Sequence, residues 1–261
     1  MSFYANTFIF DGVSCDHYGL ELYNLDSASQ SAGAVGGPVS ISETRTASRC
    51  DGFYYGDITN EPLTFNLVFG IEEDWLSRFD IEIVAGWLIR RGPYRWLHVC
   101  QDDMVDVKYR CKITELTPVE AFGLPRAYNA RVVCDCPYAY KIALPVIVES
   151  SGTATYQYHN GSNVDYPYYP LLTISVPEGT TDISIENDVF GKPFTLSGLS
   201  GSAQEITVDC KNLILTSSIN EDLYPKCNLE FPAFYRGDNN LTISGACTIT
   251  IPREWYVNVG F

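Results

Sequence analysis

Only one stretch of this chain carries apolar residues at the spacing of a helix; nearly everything else alternates. Period-two alternation puts successive side chains on opposite faces of a strand, so a chain patterned this way must fold mainly into sheets. Leu63, Phe65, Leu67 and Phe69 alternate with Thr64, Asn66 and Val68. Phe8 and Phe10 flank Ile9, Asp11-Gly12 gives a turn signal, and Tyr18, Leu20 and Leu22 resume the alternation. Residues 6–23 therefore read as strand, turn, strand. Residues 94–100 and 105–114 read as a hairpin through Asp102-Asp103, and 130–136 as a further strand. Beyond a seam at 137–148, short alternating segments recur at 171–176, 182–187, 194–196, 205–209, 212–216, 240–244 and 246–251. Pro177-Glu178-Gly179, Gly198, Gly201 and Gly237-Asp238-Asn239-Asn240 punctuate them. Many short strands with regular turns predict a sandwich of two sheets.

The exception is 72–89. Trp75, Phe79, Ile83 and Trp87 are spaced by four, with Leu76 and Val84 beside them. Glu72, Glu73 and Asp74 crowd the start, Arg90 and Arg91 sit at the other end, and Gly92-Pro93 is a stop signal. Acidic residues at the start and basic residues at the end suit the helix dipole. The spacing predicts one amphipathic helix, and Ile81, Ile83, Val84 and Gly86 lower its propensity, so packing on a sheet or a neighbouring subunit must hold it. The stretch 26–40 is rich in Ser, Ala and Gly and lacks aromatic anchors, which predicts a flexible excursion suited to an arm or lid.

The balance of charge narrows the partners. Against 17 Lys and Arg stand 32 Asp and Glu, a formal net charge of -15. Residues 1–140 carry 11 basic and 19 acidic groups and the remainder 6 and 13, so both parts are acidic. Binding to nucleic acid or to an anionic membrane rests on Lys and Arg, and this composition disfavours both. No segment reaches the roughly 18 to 20 apolar residues of a membrane-spanning helix, and no Lys or Arg precedes the apolar start, as a secretory signal would require. Nine irregularly spaced cysteines in a chain of 261 residues read as reduced, mostly buried thiols made in a reducing cytoplasm.

Chemistry is hard to find. His17, His98 and His159 are scattered, and no His-Glu-x-x-His pair exists. Cys134 and Cys136 share a strand face, a weak start for a zinc site without a second pair. Cys100 and Cys111 flank the Asp102 hairpin, as a disulfide or, more in keeping with the other thiols, as a buried unpaired couple. Asp102, Asp103 and Asp106 could hold a hard cation but lack the rest of a ligand loop, so a solvated hairpin tip fits better. Gly198-Leu199-Ser200-Gly201 lacks the spacing of a nucleophile elbow and sits among turn residues. No phosphate loop or dinucleotide fingerprint occurs. The sequence therefore leads to the expectation of no catalytic, cofactor-binding or metal residues. Tyr156, Tyr158, Tyr166, Tyr168 and Tyr169 cluster after the seam, which suits packing at a junction or partner, a sandwich edge, or a carbohydrate platform.

A series of motifs resembles a known family. Thr7-Phe8-Ile9-Phe10-Asp11-Gly12-Val13-Ser14 with Tyr18-Gly19-Leu20 opens it. Gly86-Trp87-Leu88, Arg95-Trp96-Leu97, Asp102-Asp103 and Val133-Cys134-Asp135-Cys136-Pro137-Tyr138 continue it. Asn160-Gly161, Gly191-Lys192-Pro193-Phe194, Gly237-Asp238-Asn239-Asn240-Leu241-Thr242-Ile243 and Ile251-Pro252-Arg253-Glu254-Trp255 complete it. In this order, over nearly the whole chain, it resembles the distal tail protein family of long, non-contractile-tailed phages, the siphovirus tail-tip or baseplate hub.

The resemblance implies a mainly β protein. Residues 1–140 would be an N-terminal ring-forming domain, a β sheet plus the helix at about 72–89. Residues 141–261 would be a galectin-like or carbohydrate-binding-module-like β-sandwich. It implies a structural protein of the virion and no enzyme: a homo-oligomer, a hexameric ring, single or as two stacked rings when isolated. The ring would join the tail tube protein to a tail-associated hub or lysin protein. Receptor-binding or other baseplate proteins would dock on the outward domain, and DNA would pass the lumen without specific binding. The excursion at 26–40 would reach a neighbouring subunit or ring. The alternative is an attachment module of the tail whose second domain binds host cell-wall sugars.

Overall fold

Asp11 and Gly12 make the first turn of the described chain. Both have positive φ, 51° and 80°, as a two-residue hairpin loop requires, and β1 (Phe8–Phe10) pairs β2 (Val13–Ser14) through Phe10 opposite Val13. This computed structural model describes residues 5–23, 39–44, 53–71, 77–121 and 123–259, with the backbone alone at 39–44, 53–60, 78–79 and 121. Two compact units divide the chain: Met1–Tyr140 with Asn258–Phe261, and Lys141–Val257.

In unit 1 the strand expected through Tyr18 is instead a 3-10 turn, Cys15–Tyr18. The Ser14 side chain accepts from the Asp16 amide at its start, and Gly19 ends it in the left-handed region at φ 63°, leaving only β3 (Glu21–Leu22) extended. β4 (Val39–Thr44) and β5 (Phe53–Asn60) pair with each other, with a register shift between Ile41 and Glu43. Most of the excursion at 26–40 lies outside the described residues. β6 (Thr64–Gly70) behaves as its pattern predicts, with Phe65, Leu67 and Phe69 buried and Thr64 and Asn66 exposed. β7 (Arg95–Val99), β8 (Val107–Ala121) and β9 (Leu124–Cys134) complete an antiparallel sheet in the order β2-β1-β7-β8-β9-β6-β3. The β8/β9 hairpin runs on to Ala121 opposite Leu124, far beyond the strands expected at 105–114 and 130–136.

The helix α1 (Arg78–Leu88) is shorter than the expected 72–89. Ser77 caps it: its hydroxyl accepts from the Asp80 amide while the Asp80 carboxylate accepts from the Ser77 amide. Residues 72–76, including Glu72, Glu73, Asp74, Trp75 and Leu76, lie outside the described residues, and Asp80 is the acidic residue of the first turn. At the far end Ile89 is the cap, so Arg90 and Arg91 fall beyond the last turn rather than in it. Its buried stripe is Val84, Trp87 and Leu88, whereas Ile83 is 39% exposed.

Unit 2 takes up β10 (Ala139–Asn160), the strand in which the division between the units falls. β11 (Leu171–Val176), β12 (Asp182–Asn187), β13 (Phe194–Ser197), β14 (Gln204–Asp209), β15 (Ile214–Ser217) and β16 (Gly237–Val257) follow. β16 pairs β12 through Leu241 to Ser244 and β11 through Thr248 to Thr250. Gly245 stands between, at φ 98°, where a Cβ would lie 2.4 Å from the Asp182 carbonyl oxygen. Glycine there lets one strand serve two strand sets, β15-β14-β11-β16 and β13-β12-β16. Alternate residues of both sets, among them Leu172, Ile174, Ile183, Phe194, Ile206 and Ile243, share one core with Tyr158 and Phe234.

Candidate functional site

The residues singled out for chemistry are dispersed into structural roles. Cys134 stands opposite Cys111 on β8, both buried thiols, and burial pushes both well above the ordinary thiol range. Cys136 donates to the Tyr138 carbonyl at 3.2 Å and, again mainly through burial, is pushed up to about 11. Burial of this kind suits thiols packed in a core. Cys100 and Cys111 are both free: Cys111 faces Arg95, while the Cys100 amide donates to Thr7 O beyond the end of β7. Among the described residues no group of three or more His, Cys, Asp or Glu could hold a metal ion, and no helix is long and apolar enough to cross a membrane. Asp103 accepts from Gln101 Nε2 at 2.6 Å in the exposed turn.

Ser200 serves a loop clamp and has a carboxylate, with no imidazole, beside it. Its hydroxyl donates to Glu221 Oε2 at 3.1 Å and its amide donates to Oε1 at 2.8 Å. Gln204 Nε2 and Lys226 donate to the same carboxylate. The Lys226 bond, with these others, holds Glu221 down at about 2.

The tyrosine cluster divides in three, with Tyr156 half-buried against the core of unit 2. Tyr158 stacks on Phe234 at 4.3 Å and Tyr168 donates to Glu254 Oε2 at 2.7 Å, both buried. Tyr166 and Tyr169 are exposed. The buried asparagines of unit 2 are not visible in the sequence pattern. The irregular segment from Phe231 to Phe234 is buried, so its backbone needs internal partners. Asn160 Nδ2 donates to Phe234 O at 3.0 Å, and Asn187 Nδ2 to Ala233 O at 2.8 Å and to Asn239 Oδ1 at 2.9 Å. Asn239 accepts from the Tyr235 amide and donates to the Tyr235 carbonyl. An asparagine that ends a turn and one that stitches a core look alike in sequence.

Two surfaces remain that chemistry does not explain. In unit 1, Trp87 packs α1 against Phe8 at 5.8 Å and Tyr18 at 4.7 Å. The flank and far side of the helix end expose Ile83, Gly86 and Ile89, and a Cβ on Gly86 would meet nothing within 4 Å. In unit 2, a groove of about 580 Å³ is lined by Glu149, Ser175, Glu205 and Thr248 among others. Both arrangements suit contact.

A family described as "Phage tail protein N-terminal domain" matches residues 3–136, and one described as "Phage tail C-terminal domain" matches 138–252. No curated protein matches the chain in sequence. Among solved structures the chain is similar to the SPP1 Dit (gp 19.1) protein, described as a paradigm of the hub adsorption apparatus in phages infecting Gram-positive hosts. The identity is 12%, the TM-score 0.67, and the match covers 95% of this chain and 98% of that one. A chain of the phage p2 baseplate in its activated, Sr-bound conformation is 12% identical over 90% of each chain, with a TM-score of 0.49.

Proposed function

We propose, because the chain belongs to the phage tail protein family through both its N-terminal and its C-terminal domain, that it is the distal tail hub. Six copies form a ring through the domain of residues 1–140, one ring or two stacked when isolated. The ring joins the tail tube to the baseplate or tail tip, where a hub or lysin protein follows. The second domain, residues 141–261, is a galectin-like sandwich that carries receptor-binding or other baseplate proteins outward. The likeness in fold to a phage hub protein over 95% of the chain supports this reading.

The observation that carries it is the β4/β5 hairpin. Among the described residues these strands pair only with each other. A two-stranded hairpin is marginal at best in water, so this one needs a surface to lie on, and a neighbouring copy supplies it. The exposed Ile83 and Ile89 on α1 add apolar area of the kind such an interface covers. A lumen for DNA suits an acidic chain, since a conduit should repel its cargo.

Native mass over a concentration series, with class averages of the particles, tests the reading. Six or twelve subunits around a central hole are expected. A strict monomer at every concentration, together with absence of the chain from the distal end of labelled tails, would overturn it. The carbohydrate-binding alternative rests on the exposed Tyr166 and Tyr169, while Tyr158 and Tyr168, turned inward, are lost to any sugar platform.

A further inference from the structure

We propose that the outward face of the β15-β14-β11-β16 strand set docks a basic segment of another tail protein that also carries apolar residues. The inference rests on the hub reading above and adds to it a face and a partner chemistry.

Strand register tiles this face in rows. Thr216 lies opposite Thr207, Thr207 opposite Thr173, and Thr173 opposite Thr250, so four threonines stand side by side across four strands. All four are at least partly exposed. On one side of this row, Ser175 lies between Glu205 and Thr248, and the groove carries the line on to Glu149. On the other side, Asp209 lies between Leu171 and Ile214, which are 53% and 47% exposed. Leu213, next in the turn, holds the left-handed region at φ 59° and is 56% exposed. Asparagine or glycine would suit that turn better on both counts, so an exposed leucine there is a cost without a partner.

Short β-branched side chains lose little freedom when covered, and a flat hydroxyl face can both donate and accept. The charges decide the occupant. Glu149, Glu205 and Asp209 are the ionisable groups beside the threonine row, while Lys211 stands in the turn beyond Asp209 and Arg253 half-buried further along β16. A second copy, itself acidic at -15 overall, would bring like charge against like. Nucleic acid is repelled for the same reason. A sugar would need an aromatic platform, and no Tyr or Trp lies among the paired outward positions of these rows; Trp255 and Tyr256 come further along β16. Addition of a strand at the edge is blocked as well: the Tyr224 hydroxyl accepts from the Leu215 amide and donates to Leu213 O, both at 3.3 Å. The partner therefore lies across the face, its cations over the carboxylates and its apolar groups over Leu171, Leu213 and Ile214.

A photo-crosslinking residue, benzoylphenylalanine, placed at Thr207 or at Thr216 in assembled tails tests this directly. Mass spectrometry of the product should identify a Lys- or Arg-containing peptide from a different tail chain. The double variant Glu149→Lys/Glu205→Lys should cut the yield about ten-fold, roughly the weight of one interfacial charge pair, while tails keep their normal content of this chain. A crosslinked peptide from this chain itself, a peptide without basic residues, or no crosslink in tails that contain the chain would each overturn the proposal. Failure of the hub reading shows separately, as tails that lack the chain.

Discussion

Asn239 in unit 2 is fully buried and partnered on both ends of its amide, while Trp87 in unit 1 is buried with its indole Nε1 lacking a partner among the described residues. The contrast extends beyond this pair. The described residues that are buried and polar are Ser150, Asn160, Ser162, Thr180, Asn187, Gln204 and Asn239, all in unit 2. Arg95 Nε, His98 Nε2, Tyr128 Oη and Asn129 Oδ1 of unit 1 are buried atoms without a partner among the described residues; in unit 2 Trp255 Nε1 is such an atom. Unit 2 is stitched internally by amides and hydroxyls. Unit 1 is held by aromatic packing, with polar handles left over.

The largest effect that would break this contrast is on the aromatic side. Trp87→Ala removes the ring that α1 sets against Phe8, Phe10 and Tyr18. It should cost about 3 to 5 kcal/mol, seen in amide exchange of β6 and β9 with the amides of unit 2 unmoved. A loss well under 1 kcal/mol would mean that packing does not hold unit 1. Next is Asn239→Ala, which leaves the Tyr235 amide and the Asn187 side chain short of a partner. About 2 to 4 kcal/mol should be lost from unit 2, read from the same exchange experiment on β12 and β16. If Asn239→Leu restores full stability, shape rather than polarity joins that core and the comparison fails.

Titration sharpens the same comparison. Glu221 has its carboxyl lowered from 4.5 to about 2, first by Lys226 and then by Gln204 and Ser200. A depressed carboxylate contributes stability that is present above its unfolded value and is lost as pH falls through the folded one. Unit 2 should therefore weaken between about pH 4.5 and pH 2, by about 1 to 2 kcal/mol once solvent screening is allowed for. Denaturation midpoints at pH 6 and pH 3 should differ by less in Glu221→Gln than in the parent; an equal difference in both would remove Glu221 as the cause.

How much of this was legible in the sequence depends on whether a segment buries one face. β6 and β14 alternate because one side of each meets a core, and that pattern was readable. The outer half of the β8/β9 hairpin was not, because Glu115, Thr117, Pro118 and Glu120 are exposed, so no alternation is imposed. Tyr18, Leu20 and Leu22 alternate by coincidence across a 3-10 turn and a glycine. The helix stripe was misjudged at Ile83 because a step of four residues overshoots a turn by about 40°, and Val84, Trp87 and Leu88 follow the true face. The turn at Asp102-Asp103 was readable from its run of short acidic residues. The Asn stitch and the Thr rows were not, since both depend on strand register.

The smallest predicted effect separates two ways of holding the helix. Ser77 Oγ donates to Asp80 Oδ2 at 2.6 Å and accepts from the Asp80 amide at 3.2 Å, on an exposed end of an 11-residue helix. A helix this short, with Ile81, Ile83, Val84 and Gly86 in it, has little stability of its own. Ser77→Ala should cost about 1 kcal/mol and Ser77→Gly only a few tenths, because glycine leaves the cap amide open to water. Both should fall well below Trp87→Ala when measured by amide exchange in α1. If Ser77→Ala costs as much as Trp87→Ala, the helix is fixed by its end, and aromatic packing is not what distinguishes unit 1 from unit 2. If it costs about a quarter as much, the end merely sets where the helix begins, and the Trp87 face decides whether it stays.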